Sequence, residues 1–262
     1  IPEIIEKIFD HYKKKKFGLL RIQLDYLNTK LYETILTNLN NRIDYSLDKT
    51  SSWSTKILEL NINENEIFLN FSKNHKRSIK KAIKLGLITS RLITEGEVDK
   101  FSEIFIDMYK FRKISSSIIN TKKTFKEIFN LIKKNNLGFI LGVFDKNKNL
   151  LGGIIVVFQG KNAFYYYGAS SPKYRKFPIL HLAFFDSIKI CIKLGLKNFD
   201  FGGYDKYGGN QMEGINRFKD GFSPKLLNYP HALLIKPNYI SYLVTIIFRK
   251  INKLKNKLKA LI

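Results

Sequence analysis

From Leu87 onward the apolar positions fall into a regular succession of periods. Leu87 to Thr94 alternates as a strand, and Val98, Phe101, Ile104, Phe105, Met108 and Phe111 recur at helical spacing through Val98 to Lys113. After the serine run Ser115 to Ser117, Phe125, Ile128, Phe129 and Ile132 mark a second helix over Lys122 to Asn135, with Gly138 as its stop. Phe139 to Phe144, Leu150 to Phe158 and Asn162 to Ala169 read as three strands, because turn-forming residues fill Asp145 to Asn149 and Gln159 to Lys161. A long apolar helix over Phe177 to Leu194 stops at Gly195. A short strand at Lys197 to Phe201, a glycine-rich loop, a short helix at Glu213 to Lys219 and a last strand at Lys225 to Ile235 complete the pattern.

The resulting order is β-α-α-β-β-β-α-β-α-β. A mostly antiparallel meander flanked by helices, followed by a crossover, is a mixed α/β arrangement of the α+β kind rather than a doubly wound parallel sheet. Ahead of Leu87 lie a further helix, strands around Gly18 to Gln23 and Ile57 to Leu60, and a basic helix. Two similar units in tandem would account for this: 1–87 as the latter part of a first unit, 88–236 as the second, and 237–262 as a basic amphipathic terminal helix.

Composition sharpens the picture in one respect. The 262 residues carry 46 Lys plus Arg against 22 Asp plus Glu, a net +24 that predicts attraction to polyanions or phosphate-bearing substrates. Lys13 to Lys16 reads as a solvated helix end. Lys73, Lys76, Lys80 and Lys84 share one stripe of a helix that also holds Arg77 and Lys81, and such crowding of like charge is relieved when an anion meets it. Lys73 and Arg77 are candidate phosphate contacts, an ordinary solvated helix face being the equal alternative. At the end of the chain, Tyr239, Tyr242, Leu243, Ile246 and Ile247 precede Arg249, Lys250, Lys253, Lys255, Lys257 and Lys259, a pattern suited to an anionic membrane surface or to packing on its own domain. One cysteine, Cys191, excludes an internal disulfide framework, and four scattered histidines give no zinc-ligand spacing. The longest apolar stretches fall short of the roughly 18 to 20 residues of a spanning helix, and no leader peptide precedes them, so a cytoplasmic location is expected. The start at Ile1 suggests a truncated first unit.

Several phrases resemble the Fem family, in that family's order. They are Leu20-Arg21-Ile22, Ser52-Trp53-Ser54-Thr55, the helix Lys73 to Ala82, Tyr165-Tyr166-Tyr167-Gly168-Ala169-Ser170-Ser171, Asp200-Phe201-Gly202-Gly203, and Ile215-Asn216-Arg217-Phe218-Lys219-Asp220-Gly221-Phe222. The resemblance implies tandem units of the Gcn5-related N-acyltransferase (GNAT) fold, to which the element order also corresponds. It also implies an enzyme of the bacterial envelope that moves an amino acid from aminoacyl-tRNA onto an amine of a peptidoglycan precursor. The long helical arm of some members is absent from the pattern.

Acyl transfer to an amine needs a neutral nucleophile, a place for the developing oxyanion and groups that align both substrates. It does not need a serine or cysteine nucleophile: no Gly-x-Ser-x-Gly elbow is present, and Cys191 lies in an apolar helical run that suits core filling. By resemblance, Lys219 is the catalytic-site lysine, its cation holding a phosphate or the oxyanion. Arg112 corresponds to an arginine that contacts the acceptor, although Lys113 replaces the acidic residue that usually follows it. Tyr167 resembles a tyrosine that hydrogen-bonds the acceptor, and Tyr165, two residues away and so expected on the same strand face, is the alternative. Ser170 could bind polar substrate at the strand end. Asp200 lacks the other kinase motifs that would make it a magnesium ligand, and is expected to fix the loop or orient Lys219. The glycines from Gly202 to Gly209 lack a Walker ending, and the usual coenzyme A phosphate loop of GNAT enzymes is missing, which argues against an acetyl-CoA donor.

The leading expectation is thus a Fem-like aminoacyltransferase without metal or redox cofactor. Its partners would be a peptidoglycan or other envelope precursor, tRNA and the inner face of an anionic membrane, with no role for DNA. Two alternatives differ in class: an N-acyltransferase using acyl-CoA or an acyl carrier on an envelope amino sugar or amino acid, and a non-catalytic RNA- or membrane-binding protein on the same scaffold.

Overall fold

A computed structural model describes residues 2–23, 33–34, 36–37, 45–48, 54–61, 63–113, 120–205, 209–236, 238–241 and 243–244. The chain divides into two compact units, Thr55–Leu226 and a smaller one formed by Ile1–Ser54 with Leu227–Ile262. The larger unit therefore begins well before the boundary near 87 expected from sequence. The reason is that the strand and helices ahead of Leu87 complete its sheet and core.

The smaller unit contains α1 (Pro2–Lys14), β1 (Leu20–Ile22), β2 (Tyr45–Asp48) and β10 (Ala232–Ile235). β10 is the centre of a three-stranded antiparallel sheet in the order β1-β10-β2. The Lys13 to Lys16 cluster closes α1 and is exposed. The basic segment 245–262 and the motif residues Ser52 and Trp53 lie outside the described residues.

The larger unit carries β3 (Ser54–Glu59), α2 (Glu64–Asn70), α3 (Lys73–Lys84), β4 (Ile88–Arg91), α4 (Glu95–Phe111), α5 (Thr121–Asn135), β5 (Gly138–Phe144), β6 (Leu150–Gln159), β7 (Asn162–Ser170), α6 (Ile179–Lys193), β8 (Asn198–Tyr204), α7 (Gly209–Asp220) and β9 (Lys225–Asn228). Helix starts are specified locally. Ser72 accepts from the His75 amide, and Thr94 and Glu97 form a reciprocal capping box worth about 1 kcal/mol. α5 ends on Asn136 at φ 52°, not on Gly138, which opens β5.

The seven strands run in the order β4-β5-β6-β7-β8-β3-β9. β4 to β7 form the expected antiparallel meander, and β7 pairs with β8 in parallel across the α6 crossover. Alternation along the strands feeds two cores. Leu141, Ile154, Val156 and Phe199 pack with α3 and α6 residues such as Ile79 and Phe184, while Ile140 and Ile155 pack with Phe101, Phe105 and Phe125 of α4 and α5. Phe101, Phe125 and Phe184 are almost completely buried, each contributing roughly 1.5 to 3 kcal/mol of transfer free energy.

The last strand expected from sequence is two. β9 joins the seven-stranded sheet and β10 the three-stranded one, because Pro230 between them has no N–H with which to continue a ladder.

Candidate active site

The parallel register of β7 and β8 covers only Asn162 to Phe164 against Asn198 to Asp200. Beyond that point the strands open, and a cavity of about 600 Å³ occupies the region. It is lined by Met108 and Arg112 from the end of α4, Tyr165 and Gly168 from β7, Leu180 and Phe184 from α6, and Gly214, Ile215, Phe218 and Lys219 from α7. Both helical layers thus contribute to one mostly apolar chamber with three polar tips.

Lys219 is the most constrained of these. It is 6% exposed, and its Nζ donates to the carbonyls of Gly202 at 3.1 Å and Gly203 at 2.5 Å. Burial pushes its pKa down to about 8, with the charge of Asp200 opposing the fall. Asp200 is itself buried, and its Oδ1 accepts from Thr55 Oγ1 and from the Gly202 amide at 2.7 Å. Gly202, at φ 74°, takes the left-handed turn that presents these carbonyls, a conformation glycine adopts at little cost. The chain of contacts is continuous: Thr55 holds Asp200, Asp200 shapes the end of β8, and that end holds the ammonium. Lys56 adds a second tie, pairing with Asp220 at 2.8 Å and lying over the Tyr204 ring at 4.4 Å.

Arg112 is the C-cap of α4, exposed at the mouth of the cavity, and no carboxylate pairs with it among the described residues. Lys113 follows at φ 53° and terminates the helix. The Tyr165 hydroxyl is pushed up to about 12, chiefly by burial, with Tyr109 reinforcing the effect and Arg112 opposing it, so this phenol remains a neutral hydrogen-bond donor.

The two tyrosines do not share a strand face. Ile155 pairs with Tyr167 and Val156 with Tyr165, leaving Tyr166 as the extra residue of a β-bulge. Tyr165 therefore packs with the α6-side core and the cavity. Tyr167 turns to the other core, where its ring meets Phe105 at 5.5 Å and Phe125 at 5.3 Å. Gly168 is required beside this bulge, since a Cβ there would come within 2.8 Å of the Tyr165 hydroxyl.

Ser170 ends β7 opposite Gly152 and is not among the cavity residues, and neither are Asp200, Lys73 and Arg77. Lys73 and Arg77 are exposed on α3, with Arg77 donating to Asn74 Oδ1 at 3.4 Å. Of the glycine-rich loop, residues 206–208 lie outside the described residues, and α7 starts at Gly209, earlier than the expected Glu213.

Sequence reasoning did not single out the apolar lining, Lys56 or a buried histidine contact. His75 Nε2–H donates to the Phe218 carbonyl at 2.8 Å, its Nδ1 accepts from Ser72 Oγ at 3.2 Å, and its ring meets His181 at 4.6 Å. Because a carbonyl can only accept, this fixes the neutral tautomer, and burial lowers the pKa of both histidines, that of His181 to about 4. A larger cavity of about 710 Å³ lies between α4 and the β5–β6 hairpin. Two of its carboxylates are committed elsewhere, Glu97 to the α4 cap and Glu103 to Lys122, and it holds none of the candidate residues.

An antiparallel meander opening at a parallel pair, with an amphiphilic chamber in the opening, defines a protein of the GNAT fold class. FemX shares the fold at a TM-score of 0.74 and 16% identity over 93% of this chain and 79% of its own. L-PGS from Bacillus licheniformis does so at 0.60 and 13% identity over 94% and 76%. The chain belongs to the FemAB family, whose model matches residues 112–250, just over half of its length. Its sequence is similar to the lipid II:glycine glycyltransferases of Staphylococcus haemolyticus strain JCSC1435, at 40% identity over 71 residues, and of Staphylococcus epidermidis strain RP62A, at 36% over 89 residues. These stretches cover 26% and 32% of this chain but only 17% and 21% of the two relatives.

Proposed function

We propose that the chain is an aminoacyltransferase acting on a peptidoglycan precursor at the cytoplasmic face of the membrane, with aminoacyl-tRNA as donor. The observation that carries this reading is the convergence of a buried ammonium, a guanidinium without a carboxylate partner among the described residues, and a neutral phenol on one chamber in the β7–β8 opening. Family membership and the names of the glycyltransferase relatives support the choice of acceptor.

In this mechanism the neutral amine of the acceptor attacks the carbonyl of the aminoacyl ester. A C–N bond forms, the carbonyl oxygen becomes an oxyanion, the C–O bond to the ribose breaks, and the proton lost by the amine ends on the departing ribose oxygen. Two of the three Lys219 N–H donors are taken by Gly202 and Gly203, which leaves the third for the oxyanion. With a pKa of about 8, Lys219 is mainly protonated near neutrality, as that role demands. Arg112 offers a fork suited to diphosphate or carboxylate, and the Tyr165 hydroxyl donates to the acceptor.

The test offers a lipid-linked precursor to the protein with charged tRNA in one reaction and acyl-CoA in another, and weighs the product. An aminoacyl mass increment that requires intact tRNA is expected. An increment from acyl-CoA without tRNA would establish the thioester alternative, and no increment with either, together with function unaffected by Lys219→Ala, would establish a non-catalytic role.

A further inference from the structure

The face of α3 turned away from the core is left unused by the cavity. Lys73, Lys76, Arg77, Lys80, Lys81 and Lys84 lie within an arc of roughly 140° at 100° per residue. The opposite side buries His75, Ile79 and Ala82. No carboxylate stands on the helix, and among the described residues none of the six cations pairs with one. The only side-chain hydrogen bonds they make among the described residues are from Lys76 to the Leu69 carbonyl and from Arg77 to Asn74.

Along this row, about 17 Å long and one helix wide, each like-charged i,i+4 pair costs about 0.2 to 0.5 kcal/mol, a repulsion that salt screens and that an extended polyanion lying along it would convert to attraction. Its position has a further consequence. His75 ties the buried side of α3 to the carbonyl of Phe218, the residue before Lys219. The charged ridge is therefore about one helix diameter, roughly 10 to 12 Å, behind the wall of the chamber.

We infer that this face of α3 is the docking surface for the phosphodiester backbone of the donor RNA, holding a duplex stem while the unpaired acylated end enters the chamber. The inference rests on the reading of the donor as an RNA ester. A ridge one helix wide meets a linear strand of phosphates along its whole length, whereas a bilayer presents a plane. The apolar side of α3 is inside the protein rather than available for insertion, with Ile83 alone of its aliphatic residues exposed.

The experiment compares the wild type with the quadruple variant Lys73→Gln, Arg77→Gln, Lys80→Gln and Lys84→Gln, after equal melting temperatures have shown that the fold is intact. Binding of uncharged tRNA is followed by fluorescence anisotropy across a salt series, and turnover is measured with aminoacyl-tRNA and lipid-linked precursor. The variant should bind tRNA on the order of 10-fold or more weakly, with a salt slope shallower by about 3. It should also show a raised KM for the donor with the KM for the acceptor unchanged. Wild-type affinity and slope in the variant would overturn the inference. So would loss of binding to phosphatidylglycerol vesicles with tRNA binding retained, which would make the face a membrane contact. If wild-type turnover proceeds with acyl-CoA and not with tRNA, the donor reading itself fails. If turnover requires tRNA but the variant keeps its donor KM, only the assignment of this surface fails.

Discussion

Replacing Lys219 with methionine keeps an unbranched apolar stem that reaches as far as Cε while removing the ammonium. In the folded protein that ammonium is nearly inaccessible, and its pKa falls from 10.5 to about 8. At about 1.36 kcal/mol per pH unit, holding the charge in place costs the fold on the order of 3 kcal/mol below pH 8. The sign follows from proton counting. Between the folded and unfolded values the unfolded chain binds more protons, so wild-type stability rises with pH through this window and the full cost is present at neutrality. Lys219→Met removes the cost but leaves the Gly202 and Gly203 carbonyls without their donor. Gly203 is exposed and Gly202 half-buried, so water can replace the lost bonds at about 1 kcal/mol or less each. The variant should therefore be as stable as the wild type or more stable by about 1 to 3 kcal/mol near pH 7, while losing transfer activity. Urea titrations near pH 7 and about pH 9.5 would test this. The advantage of the variant should shrink by roughly 2 kcal/mol between the two, because only the wild type gains as Lys219 loses its proton. A variant destabilised by several kcal/mol at both pH values, or a difference independent of pH, would refute the argument that this cation is held against desolvation.

Other consequences concern the surroundings of that lysine. His75 and His181 both have depressed pKa values, so their contribution to stability is present above about pH 6.5 and lost as pH falls, for His181 through about 4. His181→Phe should accordingly lose less stability than the wild type between about pH 7 and pH 4.5 in thermal melts. Gly221→Ala should destabilise by about 2 kcal/mol or more, measured as a shift in urea midpoint, since a Cβ at Gly221 would overlap the His75 ring. Tyr165→Phe should lower kcat/KM about tenfold or more while Tyr167→Phe changes it less than about threefold, a contrast that steady-state kinetics would reveal and that equal effects would contradict.

Much of this arrangement was legible in the sequence because it depends on local period. The meander from β5 to β7, α4 and α6 all arise from patterns that short-range sterics enforce, and the order of those elements carries the fold, whereas the Thr94–Glu97 capping box that starts α4 three residues before the expected Val98 was not read. Lys219 and Arg112 were found through motif resemblance, and they share one chamber. What escaped depends on register and on distant partners. The bulge at Tyr166 exists only in the pairing of β7 with β6, so the period-two rule placed Tyr165 and Tyr167 on one face when the extra residue puts them on two. The split at Pro230 sends β9 and β10 to different sheets, a consequence of partners far away in the chain. His75 looked like part of a charged helix because its acceptor, the Phe218 carbonyl, lies 143 residues later.

These misses have a common physical origin, and it bears on how the site works. The bulge, the early end of the β7–β8 register and the left-handed Gly202 each interrupt a regular ladder at the same end of the sheet. The carbonyls of Gly202 and Gly203, which lie past the end of the β7–β8 register, are the acceptors that hold Lys219. A perfectly paired β7–β8 would bring the strands to within about 5 Å of one another and close the space where a carbonyl and an amine must meet. The sheet gives up ladder bonds where the chamber is needed, and Asp200, buried and anchored by Thr55, compensates by fixing the loosened strand end through the Gly202 amide. The irregularities are therefore the means by which a regular meander acquires a pocket with a captive ammonium, which is why local periodicity shows the scaffold more readily than the site.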